Sequence, residues 1–419
     1  MLKKIVFCLL FYLLLGPVGC FASSVSGVMI GNNYYENLID AIRAASSSDV
    51  VMLLSDVKLD DSLVIDKVVN INLNGNDISS DSSVFLVEGG TLNISGNGTL
   101  KENKPYNGVI KIIGSGSSES DYSVVNVEKS VLLEGWSGIF ISHRGAKSYG
   151  VVVNFDGKIN AVSDINGDSG IGIYVNGYIS DKSNSPVINI LDNAEIRSNG
   201  VGLYIAGYST FNIKKAYIQG KESGIGIKSG ILNINGARVL CDGEDKTPTD
   251  GYNNGIKSSG TTIQIESNSG YRGDMEININ SGEFRSINSN VLYEYIGKGS
   301  NTLVNSINIS GGKFISDDNK NVFLLSNSFK NKHSKFISGG EYSSNPEQYL
   351  LSGYNANLEN NLYKVSKNNM RSVFLESVDS NSFTSIFIVL LILVFGGVIF
   401  IYRNWLFSRL TKFVDWYFK

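Results

Sequence analysis

The sequence predicts an all-β chain wound as a right-handed parallel β-helix. A capping helix precedes the solenoid and a membrane-spanning helix follows it. Three observations carry this prediction. An apolar–Asn–apolar triplet recurs along most of the chain, turns rich in Gly, Asn, Ser and Asp separate short β-prone runs, and one uncharged run of twenty residues stands near the C-terminus.

The chain opens with MLKKIVFCLLFYLLLGPVGCFASS. Lys3 and Lys4, the apolar run behind them and the small residues Cys20 and Ala22 have the layout of a secretory signal cleaved after Ala22, residues 1–22. A rival reading lipidates Cys20 after Pro17-Val18-Gly19, although Pro17 fits such a cleavage box poorly. Cys241 is then the only other cysteine of the exported chain, so packing and hydrogen bonds must stabilise it without an internal disulfide.

An extracellular β-helix domain is expected over 23–366. Its first element is ENLIDAIRAA, residues 36–45, which places Leu38, Ile39, Ile42 and Ala45 on one helical face and reads as a cap over the first coil. The triplets follow as Ile71-Asn72-Leu73, Leu92-Asn93-Ile94, Val125-Asn126-Val127, Val153-Asn154-Phe155, Ile188-Asn189-Ile190, Phe211-Asn212-Ile213 and Leu232-Asn233-Ile234. Ile263-Gln264-Ile265, Ile277-Asn278-Ile279 and Ile307-Asn308-Ile309 continue the series. Most intervals are 21 to 35 residues, with one short step from Gln264 to Asn278.

A second series interleaves: SGIFIS from Ser137, SGIGIY from Ser169, NGVGLY from Asn199, SGIGIK from Ser223 and NGIKSS from Asn254. A third, SGEF, SGGKF and SGGEY, marks the later part. Alternation sends the flanking Ile, Leu, Val or Phe to one side of a strand and Asn to the other. One such unit cannot bury its apolar side, but stacked units can. Parallel stacking brings equivalent asparagines ~4.8 Å apart, close enough for an amide ladder from coil to coil. About eleven coils at that spacing would stack to roughly 50 Å. A β-sandwich would show paired hairpins without a lasting repeat, and a propeller a more regular period.

Residues 345–365 break the repeat and should close the last coil, and the polar stretch 367–382 reads as a tether. FTSIFIVLLILVFGGVIFIY, residues 383–402, is long enough to cross a ~30 Å hydrocarbon layer as a helix. Arg403, Arg409 and Lys412 behind it place the C-terminus in the cytoplasm, where the basic, aromatic tail 403–419 would lie on the anionic inner leaflet. Without the signal and tail the chain keeps 30 of 36 basic and 38 of 39 acidic residues, net −8. That charge argues against a nucleic-acid partner. The wealth of Asn, Ile, Lys and Ser suits a bacterium with an AT-rich genome.

The stretches YYENLIDAIRAASSSDVVMLLSDVKL, VVNINLNGNDI and GGTLNISGNGTL resemble the pectate-lyase-like β-helix domains of bacterial surface proteins. GTTIQIESNSGYRGDMEININSGEFRS and ISGGEYSSNPEQYLLSGY do so near the end, and the resemblance spans about residues 30–366. It implies the fold. It does not imply an activity, because that superfamily holds enzymes and non-catalytic surface modules alike.

Residues for chemistry are sparse. Carbohydrate-cleaving members gather several carboxylates with Arg, Lys or His on one outer face, and their Gly-His-Gly and Arg-Ile-Lys signatures are missing here. His occurs only at 143 and 333. The pairs Asp60-Asp61 and Asp317-Asp318, and the basic corner His143-Arg144 with Lys147, read as surface loops, so no catalytic residue is assigned. No cofactor is expected. Calcium is the one candidate ion, at Asp164, Asn166 and Asp168, whose alternate spacing matches oxygen-ligand loops, although Val175 stands where the closing Glu should be. The acidic stretch 241–251 reads as a solvated loop.

The aromatic residues offer the candidate ligand site. GIGIYVNGY and GVGLYIAGY align at a 30-residue offset and place Tyr174, Tyr178, Tyr204 and Tyr208 in equivalent positions. If Ile171, Ile173 and Val175 point inward, Tyr174 and Tyr204 point outward, with Gly172 and Gly202 leaving a flat strip for sugar rings. A tyrosine stack that only stabilises the solenoid is the alternative. The expected protein is therefore a single-pass, non-enzymatic bacterial surface module for adhesion or glycan contact, with glycans, host proteins or other cell-surface proteins as partners; a membrane-anchored polysaccharide lyase or glycoside hydrolase is the other reading, and a purely structural spacer a third.

Overall fold

The computed structural model describes residues 27–104, 106–114, 121–143, 145, 148–165, 168–246, 260–368 and 383–417, with backbone alone at 164, 165 and 168 and at 383–394, 396, 397 and 415–417. The predicted signal peptide, residues 369–382 of the predicted tether 367–382, the NGIKSS motif from Asn254, and Arg144, Lys147 and Asn166 lie outside the described residues. The chain divides into two compact units, 1–352 with 356–365 and 353–355 with 366–419.

The first unit is a parallel β-solenoid with three strand faces per coil. The first face runs from Val50–Leu53 through Val68–Asn72 and Thr91–Ser95 to Val304–Ile309, each strand parallel to the next. The second runs from Val57–Leu59 through Ile78–Ser80 and Gly98–Glu102 to Lys313–Ser316 and Gly340–Tyr342. The third is a separate 10-stranded sheet from Leu63–Ile65 to Phe323–Leu324. The long strands Ser229–Cys241 and Gly273–Ser286 pass without a break from the first face to the second and join both into one sheet.

The repeat dictates this winding because each coil's apolar residues find cover only on their neighbours. On the first face Val51, Ile71, Ile94, Val127, Phe155, Ile190, Ile213, Ile234, Ile279 and Ile309 lie one above another in register. None of them is more than 3% exposed. Near the C-terminal end the second face stacks rings in the core. Phe314 lies 4.8 Å from Phe284 and 4.9 Å from Tyr342, centroid to centroid, with planes 12° and 4° apart.

The outward asparagines form the expected ladder. Asn93 donates its side-chain amide to Asn70, and the relay continues through Asn126, Asn154, Asn189, Asn212, Asn233, Asn278 and Asn308 in eight hydrogen bonds of 2.6–3.2 Å. Two predicted members are displaced. The first rung is Asn70, which anchors on the Ser47 and Asp49 carbonyls, whereas Asn72 accepts from Asn74 N in a turn. Gln264 belongs to the third face, paired with Gly226 and Tyr293, so the short step before Asn278 was a change of face rather than a short coil.

Both ends of the solenoid are capped. Val28–Ile30 pairs antiparallel with Val50–Leu53 and with Asn33–Tyr35. Helix α1 (Leu38–Ala44) follows, its N-cap Asn37 accepting from Asp40 N at 2.9 Å. Leu38, Ala41, Ile42 and Ala45 are buried, but Ile39 is 40% exposed, which corrects its predicted place on the inner face. A seven-residue helix covers only a narrow stripe, and Ala41 takes the position given to Ile39. At the other end closure begins at Ser326, earlier than the predicted break. Ser326 caps helix α2 (Asn327–Lys332), and buried Phe329, Phe336 and Tyr349 pack around Phe323 and one another. Leu362–Lys367 then lies antiparallel to Gly340–Tyr342.

The second unit holds helix α3 (Phe383–Tyr417), which contains the whole predicted span at 383–402. Among the described residues no helix is long and apolar enough to cross a membrane. The side chains of 383–394, 396 and 397, which make up much of that span, are not among them.

Candidate ligand-binding groove

The candidate site lies on the outside of the third face. Its central outward row reads Phe140, Tyr174, Tyr204, Gly226, Gln264 and Tyr293, in register from coil to coil. Tyr174 and Tyr204 stack at 5.2 Å with planes 7° apart, and Phe140 meets Tyr174 edge-on at 4.8 Å. Trp136 lies 5.9 Å from Tyr174, its Nε1 buried and without a hydrogen-bond partner among the described residues.

The predicted orientation of the tyrosines holds, but their surroundings differ from a flat strip. Ile171 and Val201 join the outer cluster with Trp136, Tyr174 and Tyr204 instead of facing inward. Gly172 and Gly202 turn towards the second face. A Cβ at Gly172 would meet Ile196 Cγ2 at 2.4 Å, and one at Gly202 would meet Ile218 Cγ2 at 2.7 Å. Gly138 and Gly224 make the same approach to Ile159 and Val239. These glycines are required by a tight corner of the coil, where two faces come too close for any side chain.

Neighbouring turns cover most of the strip. Tyr174, Tyr204 and Tyr208 are 9%, 3% and 7% exposed, whereas Tyr178 is 72% exposed. Burial pushes the Tyr174 hydroxyl up to about 12, and it raises Tyr204 well above the usual phenol value, so both stay neutral donors. Tyr271, on the turn after the strand Thr261–Asn268, folds back over Tyr204. Gly177 makes room for it, since a Cβ there would stand 2.5 Å from the Tyr271 ring.

Beneath Tyr271 lies a buried ion pair that sequence reasoning missed. Lys228 Nζ stands 2.7 Å from Glu266 Oε2, with side chains 4% and 2% exposed. Glu266 Oε2 makes no aligned hydrogen bond, so this contact is charge pairing, while Oε1 accepts from Asn268 Nδ2 at 2.7 Å. Lys228 also lies 5.1 Å from the Tyr204 centroid and 4.4 Å from that of Tyr271, and it donates to the Tyr271 hydroxyl at 3.3 Å. An ion pair this deep costs desolvation, which the two rings and the amide offset.

Together these residues shape a groove of about 500 Å³, floored by Tyr174, Tyr204 and Ala206, walled by Tyr271, and edged by Tyr178, Asn176 and Asn268. Its size falls in the range of small-ligand sites, and its chemistry is aromatic faces with amide and hydroxyl groups. Tyr178 leans on His143, ring centroids 4.8 Å apart. Tyr208 sits beside the groove under Lys182 and Arg272.

Among the described residues His143 is the one other candidate that touches the groove, at Tyr178, and none of the others lines it. Asp164–Ile165 pairs antiparallel with Asp168–Ser169 as a small hairpin, and no cluster of three metal-ligating groups occurs among the described residues. Asp61 accepts from Ser62 N, and Asp317 pairs with Arg285 at 2.7 Å. His143 is tied through Nδ1 to the Gly145 carbonyl.

Lys228 was hard to find for a definite reason. Aligned by motif, SGIGIK matches NGVGLY and places Lys228 over Tyr204. The register instead sets Ser223 beside Val201 and Gly226 beside Tyr204, a slip of two residues. A slip of two keeps every side chain on its own face, so alternation cannot reveal it. No family model, curated protein or solved structure matches the chain.

Proposed function

We propose that this chain is a single-pass cell-surface protein whose exported part, a right-handed β-helix of the pectate-lyase-like kind, binds glycans without cleaving them. The right-handed sense follows from the general preference of connected parallel strands. The observation that carries the reading is the groove, where the exposed Tyr178 ring offers a sugar an apolar face and two carboxamides offer hydrogen bonds, above a floor set by the largely buried Tyr174–Tyr204 stack. Lys228 and Glu266 neutralise each other beneath it, so neither stands ready as a free acid or base.

Anchorage follows from the uncharged run 383–402 with Arg403, Arg409 and Lys412 behind it, within α3. The membrane bilayer is then the constant partner and glycans are the variable one.

The test is a glycan array probed with the full-length chain in detergent, beside assays for reducing ends and unsaturated products. Binding without turnover, weakened about tenfold by Tyr178→Ala, is the expected result, corresponding to ~1.4 kcal/mol for one exposed aromatic contact. Tyr178 is exposed, so its removal should leave the fold intact. Product release would favour the lyase or hydrolase instead, and binding indifferent to Tyr178 would move the site elsewhere.

A further inference from the structure

We infer that the outer side of the first face is a contact surface for a second copy of this chain, docked face to face in the antiparallel sense and independent of the groove on the third face. Beside the asparagine ladder runs a second outward row. Val68 aligns with Thr91, and the row continues in register through Val124, Val152, Val187 and Thr210 to Ile231. Val68 is 37% exposed and the others are half-buried, so the row stays open to solvent. With their inward residues these strands read SVVNV, VVVNF and VINI, almost unbroken apolar runs. Parallel sheets built from such strands are ordinarily covered on both sides. The second face differs. Lys101, Glu134, Lys158, Glu195, Arg197 and Arg238 stand at its outward positions, as suits a solvated surface. The first face carries no charge from Val68 to Ile231 or from Asn70 to Asn233, and Glu276 then ends the apolar row.

A second copy fits this surface because it repeats at the same rise. Two such faces match rung for rung at ~4.8 Å per coil, whereas a partner of another pitch falls out of step within a few coils. Antiparallel docking lays apolar row on apolar row, with Val152 near its own counterpart, and sets the asparagine amides against one another. Parallel docking would set the valines against the edge where Glu128 and Asp156 extend the ladder. The strip measures roughly 34 Å along the coils by 14 Å across three outward positions, on the order of 500 Å² per copy. The total of about 1,000 Å² stands at the small end for specific interfaces, so the dimer should be reversible, with a dissociation constant on the order of micromolar.

The test is sedimentation velocity of the full-length chain in detergent across a concentration series. The expected result is a reversible monomer–dimer equilibrium that Val152→Arg weakens about tenfold or more. Asn160→Arg adds the same charge at an exposed position of the second face and should leave the equilibrium unchanged. Amide exchange of the Val152→Arg chain should match the parent, since that side chain points out of the coil. If the substitution loosens the coil instead, cross-linking decides: mild oxidation should join Val152→Cys chains into disulfide dimers and leave Asn160→Cys chains unjoined. A chain that stays monomeric and does not cross-link would overturn the inference. A dimer indifferent to Val152→Arg in an intact coil would place the contact elsewhere and overturn it as well. So would a monomeric chain that sediments with crystalline cellulose or chitin and loses this with Val152→Arg, because the face would then be a polysaccharide surface.

Discussion

Asn189 sits in mid-ladder, donating to Asn154 Oδ1 at 2.9 Å and accepting from Asn212 Nδ2 at 3.0 Å. Asn189→Ala removes both bonds and strands one acceptor above and one donor below. Each net hydrogen bond contributes about 1 kcal/mol. The ladder is half-buried, so the orphaned amides recover part of their loss from water, and a cost of ~2 kcal/mol is expected. Asn308 ends the ladder and is exposed, with a single ladder bond to Asn278 at 3.2 Å. Asn308→Ala should therefore cost ~1 kcal/mol or less. Solenoids need not unfold in one step. The assay is accordingly amide hydrogen exchange, rung by rung, with urea denaturation beside it. Protection should fall in the rungs that hold Asn154, Asn189 and Asn212 and stay unchanged at the two ends. Equal costs for Asn189→Ala and Asn308→Ala, or a loss below ~0.5 kcal/mol at Asn189, would mean that the amides are surface decoration and the apolar rows alone hold the coils.

Gly202→Ala should destabilise by roughly 1–3 kcal/mol in urea, because its Cβ would stand 2.5 Å from the Gly224 carbonyl and 2.7 Å from Ile218, in a corner without slack. Gly226→Ala, at an outward position, is the matched control and should be nearly silent. Glu102 supplies a pH dependence. Burial raises its carboxyl to about 7, against hydrogen bonds from the backbone N–H groups of Asn107, Gly108 and Trp136. The folded form then holds a proton that the unfolded form, near 4.5, has released. Stability is full below about 4.5 and declines as pH rises to about 7, by up to ~3 kcal/mol. Glu102→Gln should flatten that slope in melting curves taken from pH 5 to 8, and an unchanged slope would assign it to other groups.

Much of the fold was legible because the solenoid repeats its instructions. The triplets of Asn93, Asn126, Asn154, Asn189, Asn212 and Asn233 each state the same alternation, and each falls on the first face. The failures arose where one pattern served two faces. Ile263-Gln264-Ile265 has the triplet's alternation but lies on the third face, because period two marks a strand without saying which side of the coil it builds. The groove was legible in part. Tyr174 and Tyr204 could be placed outward from alternation alone. Their covering could not, since Tyr271 arrives from a turn 67 residues beyond Tyr204, and Lys228 reaches its place through a slip that alternation does not register. The corner glycines were misread for a related reason. Their role depends on Ile159, Ile196, Ile218 and Val239, which come from another face.

Parallel coils in a defined register are the foundation of everything else, and disulfide trapping reports on them most directly. Lys158 and Glu195 are in-register neighbours on the second face. Their Cα atoms should lie ~4.8 Å apart, inside the ~4.4–6.8 Å window of a disulfide. Lys158 and Arg197 are two residues out of register, roughly 8 Å apart and beyond reach. The native Cys241 is fully buried and should not compete. Mild oxidation should close the Lys158→Cys, Glu195→Cys pair quickly and leave the Lys158→Cys, Arg197→Cys pair reduced. Closure of the second pair, or of neither, would contradict the stacked coils.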